Sequence, residues 1–262
     1  MNIIVINGYK SFIAQNYLKS NNKINKIIHY KKDINNSKEF LKFVKNNKFT
    51  HFIHFASLSR TKCDLNKKLC KRTNYLAVKS IVNTLNLLKN RPKLIFISSS
   101  HVYGDSKNKL SEKSKLDPKS LYAKLKIKSE NYIKKNYKNY SILRVFNVYG
   151  KNQPRGYFIP DIIDKIKKKH EININKSIRD FIHVKEVSRI INYIIKNNIN
   201  GVLNIGTGRG VSLEFLVKEI SKKLKIKTPI RIFKKYDKIV ANISLLKSKN
   251  YNFKYNEKYI NF

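Results

Sequence analysis

Acidic residues are scarce in this chain: 16 Asp and Glu stand against 57 Lys and Arg, a formal net charge of +41. Cysteine is scarcer, with only Cys63 and Cys70 and no Cys-x-x-Cys arrangement. Two such residues supply neither a disulfide framework nor a metal site, and they read as buried or half-buried thiols. No apolar run approaches the ~18 residues of a membrane-spanning helix, and nothing at the start reads as a secretory leader. Cytoplasm is the expected location. There is no Gly/Ser/Pro-rich linker and no internal repeat, so 262 residues read as one α/β domain with a small appended lobe. A charge surplus of this size ordinarily points to nucleic acid. Here the lysines are spread through every segment beside abundant Asn and Ile, as A/T-rich codon usage would leave them. The expectation is no nucleic-acid partner, no membrane partner and no metal, in a positive field that favours a diphosphate ligand.

The chemistry-bearing residues are concentrated in three stretches: Ser98-Ser99-Ser100-His101-Val102-Tyr103-Gly104, then Tyr122 to Lys126, then Arg144-Val145-Phe146-Asn147-Val148-Tyr149-Gly150. A tyrosine four residues before a lysine shares its helix face, one turn away. An ammonium placed there stabilises a phenolate and lowers the tyrosine pKa from about 10. A serine at a strand end hydrogen-bonds the same substrate oxygen. Together they move a proton while a hydride leaves or arrives. Alone, the Tyr–Lys spacing arises by chance in a chain rich in both, and a serine run is an ordinary turn. Context joins them. Lys93 to Ile97 reads as a buried parallel strand running into the serines, and Pro118-Lys119-Ser120 supplies a turn and cap before the tyrosine helix.

In this order the segments resemble the extended short-chain dehydrogenase/reductase family, in its nucleotide-sugar epimerase/dehydratase branch. Arg179-Asp180-Phe181-Ile182-His183-Val184 and the stretch Gly201 to Gly208 are similar to further motifs of that branch, and the likeness runs to about residue 247. It implies a Rossmann doubly wound parallel sheet from 1–148, with 179–200 returning to it. A small, discontinuous C-terminal substrate lobe would comprise 149–178 and 201–262. Strand–helix alternation through residue 148 reads the same way without the resemblance. The resemblance further implies NAD or NADP as cofactor, a nucleoside-diphosphate sugar as substrate, and a homodimer formed through the helices near 74–89 and 120–136.

By the same resemblance, Ser99, Tyr122 and Lys126 are the catalytic residues. The family's Gly-x-x-Gly-x-x-Gly turn, whose amides meet the pyrophosphate at a helix N-terminus, keeps only Gly8. Ser11 and Ala14 replace the other two glycines, leaving the turn altered but usable with Phe12 and Ile13 at the helix head. The second strand, Lys26 to Tyr30, is followed by Lys31 and Lys32 with no carboxylate before Asp33. A lysine pair suits the extra phosphate of NADP, although lysine is everywhere here. Asp33 and Ile34 resemble the step beside the adenine, and Phe55, Ala56 and Ser57 the cofactor contact after the third strand. His51 and His54 read as strand residues. Asn74 is implied to support the surroundings of Lys126 through water, with a helix cap or polar surface residue as the alternative.

On the substrate side, Ser100 and His101 stand where dehydratases carry Asp-Glu, so elimination lacks its acid and base. Asn147 and Arg179 are implied to contact phosphate, Arg179 bidentately. Lys234 aligns roughly with an Arg-x-Gly-Asp element. These residues suit an NAD(P)-dependent nucleotide-sugar epimerase that oxidises a sugar hydroxyl transiently. A 4-keto-sugar reductase is the alternative, and a non-catalytic dinucleotide sensor or scaffold is the alternative of another class.

Overall fold

The computed structural model describes residues 1–21 and 25–254. Its strands are β1 (Ile3–Asn7), β2 (Lys26–His29), β3 (His51–His54), β4 (Lys93–Ser99), β5 (Tyr140–Val145), β6 (Asn147–Tyr149), β7 (Ile172–Arg179), β8 (Phe181–His183), β9 (Gly201–Ile205), β10 (Val211–Ser212) and β11 (Ile230–Ile239). Six of them form the main sheet in the order β2-β1-β3-β4-β5-β9, with every neighbouring pair parallel. The helices are α1 (Phe12–Ser20), α2 (Ser37–Asn46), α3 (Arg60–Leu65), α4 (Lys67–Lys71), α5 (Ala77–Asn86), α6 (Leu121–Asn136), α7 (Phe158–Lys167), α8 (Val184–Lys196), α9 (Leu213–Leu224) and α10 (Ser244–Ser248).

Side chains of a strand alternate between its two faces, and each face of the sheet is covered. Ile4 and Ile6 pack with Ala14, Tyr17 and the α8 isoleucines, whereas Val5 packs with Phe40, Val44 and the apolar stripe of α5. Burial on both faces is why these strands read as unbroken apolar runs. The expected doubly wound sheet is present. Its strand order reverses between β1 and β3, which opens a crevice at their carboxyl ends.

Gly8 occupies that crevice with φ +71°, and a Cβ added to it would lie 2.2 Å from the backbone nitrogen of Ala56. Both the dihedral and the contact demand glycine. Gly8→Ala should therefore cost roughly 1–3 kcal/mol in stability, read by chemical denaturation.

The lobe is built on a separate three-stranded sheet, β10-β7-β11. Ile172 and Ile174 of β7 pack with Ile159, Ile162 and Ile166 of α7 and Leu216, Val217 and Ile220 of α9. Two boundaries differ from expectation. Gly201–Ile205, expected in the lobe, is the edge strand of the main sheet, because Leu203 and Ile205 complete the face covered by α8. Leu246 and Tyr251 also join that core, so the chain returns to the main domain after β11. The rest of the expected lobe segment, 255–262, lies outside the described residues.

Cys63 and Cys70 also differ from expectation: they form a disulfide. The turn between α3 and α4 at Asn66 brings their Cα atoms to 4.9 Å, a proximity that sequence spacing does not reveal. Among the described residues no helix is long and apolar enough to cross a membrane, and no His/Cys/Asp/Glu cluster forms a metal site.

Candidate active site

β4 delivers Ser98 and Ser99 to the carboxyl edge of the sheet, beside Arg144 and Val145 of β5. A short 3-10 turn, Ser100–Val102, follows. Ser99 Oγ accepts the His101 N–H at 3.2 Å, so the hydroxyl proton of Ser99 remains available to a substrate oxygen. Ser120 caps α6, its side chain accepting from the Ala123 amide at 3.2 Å. Tyr122 and Lys126 then fall on one face of α6, with Lys126 Nζ 5.7 Å from the Tyr122 ring centroid. The same ammonium donates to the Ile97 carbonyl at 2.8 Å and lies 4.8 Å from the Phe96 ring centroid.

One turn beyond Lys126, buried Glu130 fastens α6 to the sheet. It accepts from Ser98 Oγ at 2.6 Å and from Arg144 Nη2 at 2.6 Å. Arg144 Nη1 donates to Tyr103 Oη at 2.8 Å, and that hydroxyl donates to Asn204 on β9 at 2.8 Å. Arg144 is thus a buried strut joining the strands to α6, and through α6 it holds Tyr122 and Lys126 in place.

A cavity of about 470 Å³ opens onto these groups. Ser99, Tyr122 and Lys126 converge in it with Ser100, His101, Asn147 and Arg179. Ser11, Phe12, Ile13, Phe55 and Ser57 line it as well. Gly8 and Ala56 lie just behind that wall, pressed against each other. Four expected residues sit elsewhere. Asp33 is held by the Asn35 amide at 2.9 Å and by an ion pair with Arg72. Ile34 is buried in the core under α2 and α5. Asn74 turns its amide to Leu58 rather than to Lys126. Lys234 is exposed on an irregular stretch of β11 between Phe233 and Tyr236 and is not among the residues that line the cavity. The lysine pair after β2 is also divided, since Lys32 is engaged by Glu39. Arg60 and Tyr157, which sequence reasoning missed, complete the cavity wall. Arg60 opens the short helix α3 and Tyr157 stands just before α7, so the placement of both depends on the surrounding fold, and neither carries a local signal.

The electrostatics are set mainly by burial. Burial pushes the Tyr122 hydroxyl up to about 12, against hydrogen bonds to Ser99 and Ser57 that pull it down. The expectation of a lowered tyrosine is reversed here: desolvation of a phenolate outweighs the help it receives. Burial lowers Lys126 to about 7, with Glu130 opposing. His101 stands edge-on to Tyr122 with ring centroids 5.9 Å apart. Burial, then the charges of Arg60 and Arg179, lower it to about 4, so its ring is neutral near pH 7.

Burial likewise lowers His54 to about 3 and His51 to about 4. The unfolded chain protonates these three histidines near pH 6.5, while the folded protein resists until pH 3–4. Acid therefore favours unfolding across that window. The thermal midpoint should fall steadily as pH drops from 6.5 to 4; a flat profile in thermal denaturation would contradict the burial of these rings.

The residues present fit a dinucleotide. The Gly8 turn leads into α1, whose first N–H groups point out of the helix toward the cavity wall formed by Ser11, Phe12 and Ile13. Ser11 Oγ takes the Ala14 amide at 3.4 Å.

Comparison with known proteins agrees with this geometry. The chain is 30% identical over 199 residues to ADP-L-glycero-D-manno-heptose-6-epimerase of Brachyspira hyodysenteriae, covering 70% of this chain. It spans 60% of the length of that curated relative. The fold superposes with a TM-score of 0.84 on dTDP-4-dehydrorhamnose reductase of Bacillus anthracis in complex with NADP, at 19% identity over 96% of this chain and 94% of the other. UDP-glucose 4-epimerase of Thermus thermophilus, in complex with NAD, gives a TM-score of 0.84 at 16% identity, covering 96% of this chain and 94% of the other. These two likenesses show the fold. Residues 7–206, from the end of β1 to just beyond β9, match the profile of one family, and the chain belongs to that NAD dependent epimerase/dehydratase family.

Proposed function

We propose that the chain is an NAD(P)-dependent nucleotide-sugar epimerase acting by transient oxidation of a sugar hydroxyl. The observation that carries this reading is the convergence of Ser99, Tyr122 and Lys126 with Asn147 and Arg179 in one cavity. When bound, the dinucleotide supplies a hydride acceptor that returns the hydride within the same turnover. Tyr122 takes the proton of the sugar hydroxyl and gives it back. Ser99 donates to the same oxygen and stabilises its changing charge. Lys126, on the same helix face, supplies the positive charge that favours the phenolate. Arg179 and Asn147 hold the diphosphate. Arg179 is kept in place by its ion pair with Asp237 and by Nη1 donating to the Ile178 carbonyl at 3.0 Å. The Asn147 side-chain amide donates one N–H to the Asp180 carbonyl at 3.0 Å, which leaves its second N–H for a phosphate oxygen. No carboxylate lines the cavity among the described residues, which weighs against water elimination.

One observation favours a second reading. A hydroxyl raised to about 12 is protonated at neutral pH, the state that delivers a proton to a ketone during reduction. A nucleotide-4-keto-sugar reductase uses the same three residues and runs the hydride step once. A non-catalytic sensor would retain the dinucleotide turn without needing the Tyr–Lys pair. Denaturing freshly purified protein and identifying the released dinucleotide separates these. Stoichiometric NAD is expected for the epimerase. Protein that is empty and prefers NADPH to NADH points to the reductase, and protein that binds neither refutes the enzyme reading.

A further inference from the structure

The disulfide lies against the active-site helix. Both sulfurs are buried among Leu58, Leu121, Tyr122 and Leu125. After α4 the chain makes one π-helical turn, Arg72–Leu76, that carries Asn74. Such turns are rare and recur at functional sites. Asn74 Nδ2 sits 3.4 Å from Cys63 Sγ and 3.7 Å from Cys70 Sγ. The same side chain grips the loop after β3. Its nitrogen donates to the Leu58 carbonyl at 3.1 Å, and its oxygen accepts from the Leu58 amide at 2.8 Å and the Ser57 hydroxyl at 3.3 Å. Ser57 and Tyr122 line the same cavity, and Tyr122 packs against Leu58, Cys63 and Cys70.

We propose that the Cys63–Cys70 disulfide is a redox-sensitive positioning device that sets Asn74 and, through Ser57 and Leu58, orients the Tyr122 hydroxyl. This rests on the reading of Tyr122 as the proton-transfer residue. Oxidised sulfurs carry no proton, so the Leu58 carbonyl takes only the Asn74 amide and, at 3.3 Å, the Ser57 hydroxyl. Cys63 Sγ is 3.8 Å from that same carbonyl oxygen. As a thiol it becomes a competing donor there. Two thiols also need more room than a bonded pair, and the space they take is that of the Asn74 amide. A dithiol reductant supplies the two electrons and two protons: its thiolate attacks one sulfur, the S–S bond breaks through a mixed disulfide, and the reductant leaves oxidised. Because both sulfurs are buried, this exchange proceeds through local opening of α3 and α4.

The test compares oxidised protein, dithiothreitol-reduced protein and C63A/C70A. Thiols are counted in denaturant, amide exchange is followed by NMR, and dinucleotide affinity is titrated. The oxidised protein should show no free thiol. Reduction should speed exchange at the Leu58 amide about tenfold, the loss of one hydrogen bond, and weaken dinucleotide binding, because Ser57, next to Leu58, lines the cavity. C63A/C70A, which offers the Leu58 carbonyl no thiol donor and leaves the Asn74 amide its room, should keep the Leu58 amide protected as in the oxidised protein. A disulfide that merely staples α3 to α4 would alter protection within 60–71 and leave Leu58 and affinity unchanged, which overturns the proposal. Two free thiols in air-oxidised protein overturn it as well. Protein that binds no dinucleotide in either state refutes the enzyme reading, while the Leu58 exchange rate still judges the positioning device.

Discussion

Tyr122→Phe is expected to lower turnover by roughly 10²–10⁴-fold, the usual worth of a positioned proton-transfer group, while dinucleotide affinity stays within a few-fold. The ring keeps its place after the substitution, because its contacts are apolar: the disulfide, Leu58, Leu121 and Leu125 on one side and the His101 edge on the other. Only the hydroxyl is lost, together with its hydrogen bonds to Ser99 and Ser57. Without it, no group beside Ser99 can both accept and return the proton of the reacting hydroxyl. Ser99 lacks a base of its own, and Lys126 Nζ is committed to the Ile97 carbonyl. Steady-state kinetics with a nucleoside-diphosphate sugar, run beside a cofactor titration, separate the two effects. Unchanged turnover in the variant would remove Tyr122 from the mechanism. A parallel collapse of cofactor binding would instead mark it as part of the fold of the pocket.

Glu130→Ala is expected to cost about 3–5 kcal/mol of stability, the range for breaking a buried ion pair from one side. Glu130 and Arg144 are both buried, and their Nη2–Oε2 contact is 2.6 Å. Removing the carboxylate strands the guanidinium in the core with only the Tyr103 hydroxyl and the Glu112 carbonyl as acceptors. The Ser98 hydroxyl loses its acceptor too. An effect on the site follows from the same contact. Glu130 raises the pKa of Lys126 against burial, so the milder Glu130→Gln should push Lys126 further below its present value and leave more of it neutral at pH 7. Chemical denaturation reads the first effect, and the pH dependence of cofactor binding reads the second. A loss below about 1 kcal/mol, the worth of an ordinary surface pair, would show that the strut does not hold α6.

The expectations that held were those carried by short-range pattern. The head of α1 at Phe12 and Ile13 stands where the sequence places it, with Ser11 capping the helix. The Tyr122–Lys126 pairing follows from helix geometry alone, and the strand character of β1 and β4 follows from continuous apolar runs. Three motifs separated by long loops met in one cavity because parallel strands place all their carboxyl ends on one edge of a sheet.

Other features are set by contacts between residues distant in sequence, and here only the tertiary structure decides. Gly201–Ile205 carries the same apolar pattern whether it edges the main sheet or the lobe; pairing with β5 and the cover of α8 choose the former. Lys234 resembles a phosphate-binding position, yet it stands exposed on an irregular stretch of β11 and is not among the residues that line the cavity. Cys63 and Cys70 are two ordinary cysteines until a turn between two short helices brings them together. Tyr122 reads as an activated phenol from spacing, yet burial raises it to about 12. The sequence by itself determined which groups this protein brings to its site, because local periodicity and motif order are written residue by residue. Burial, strand partners and the protonation of those groups were decided by the tertiary structure, because desolvation and packing depend on everything that surrounds a residue in space.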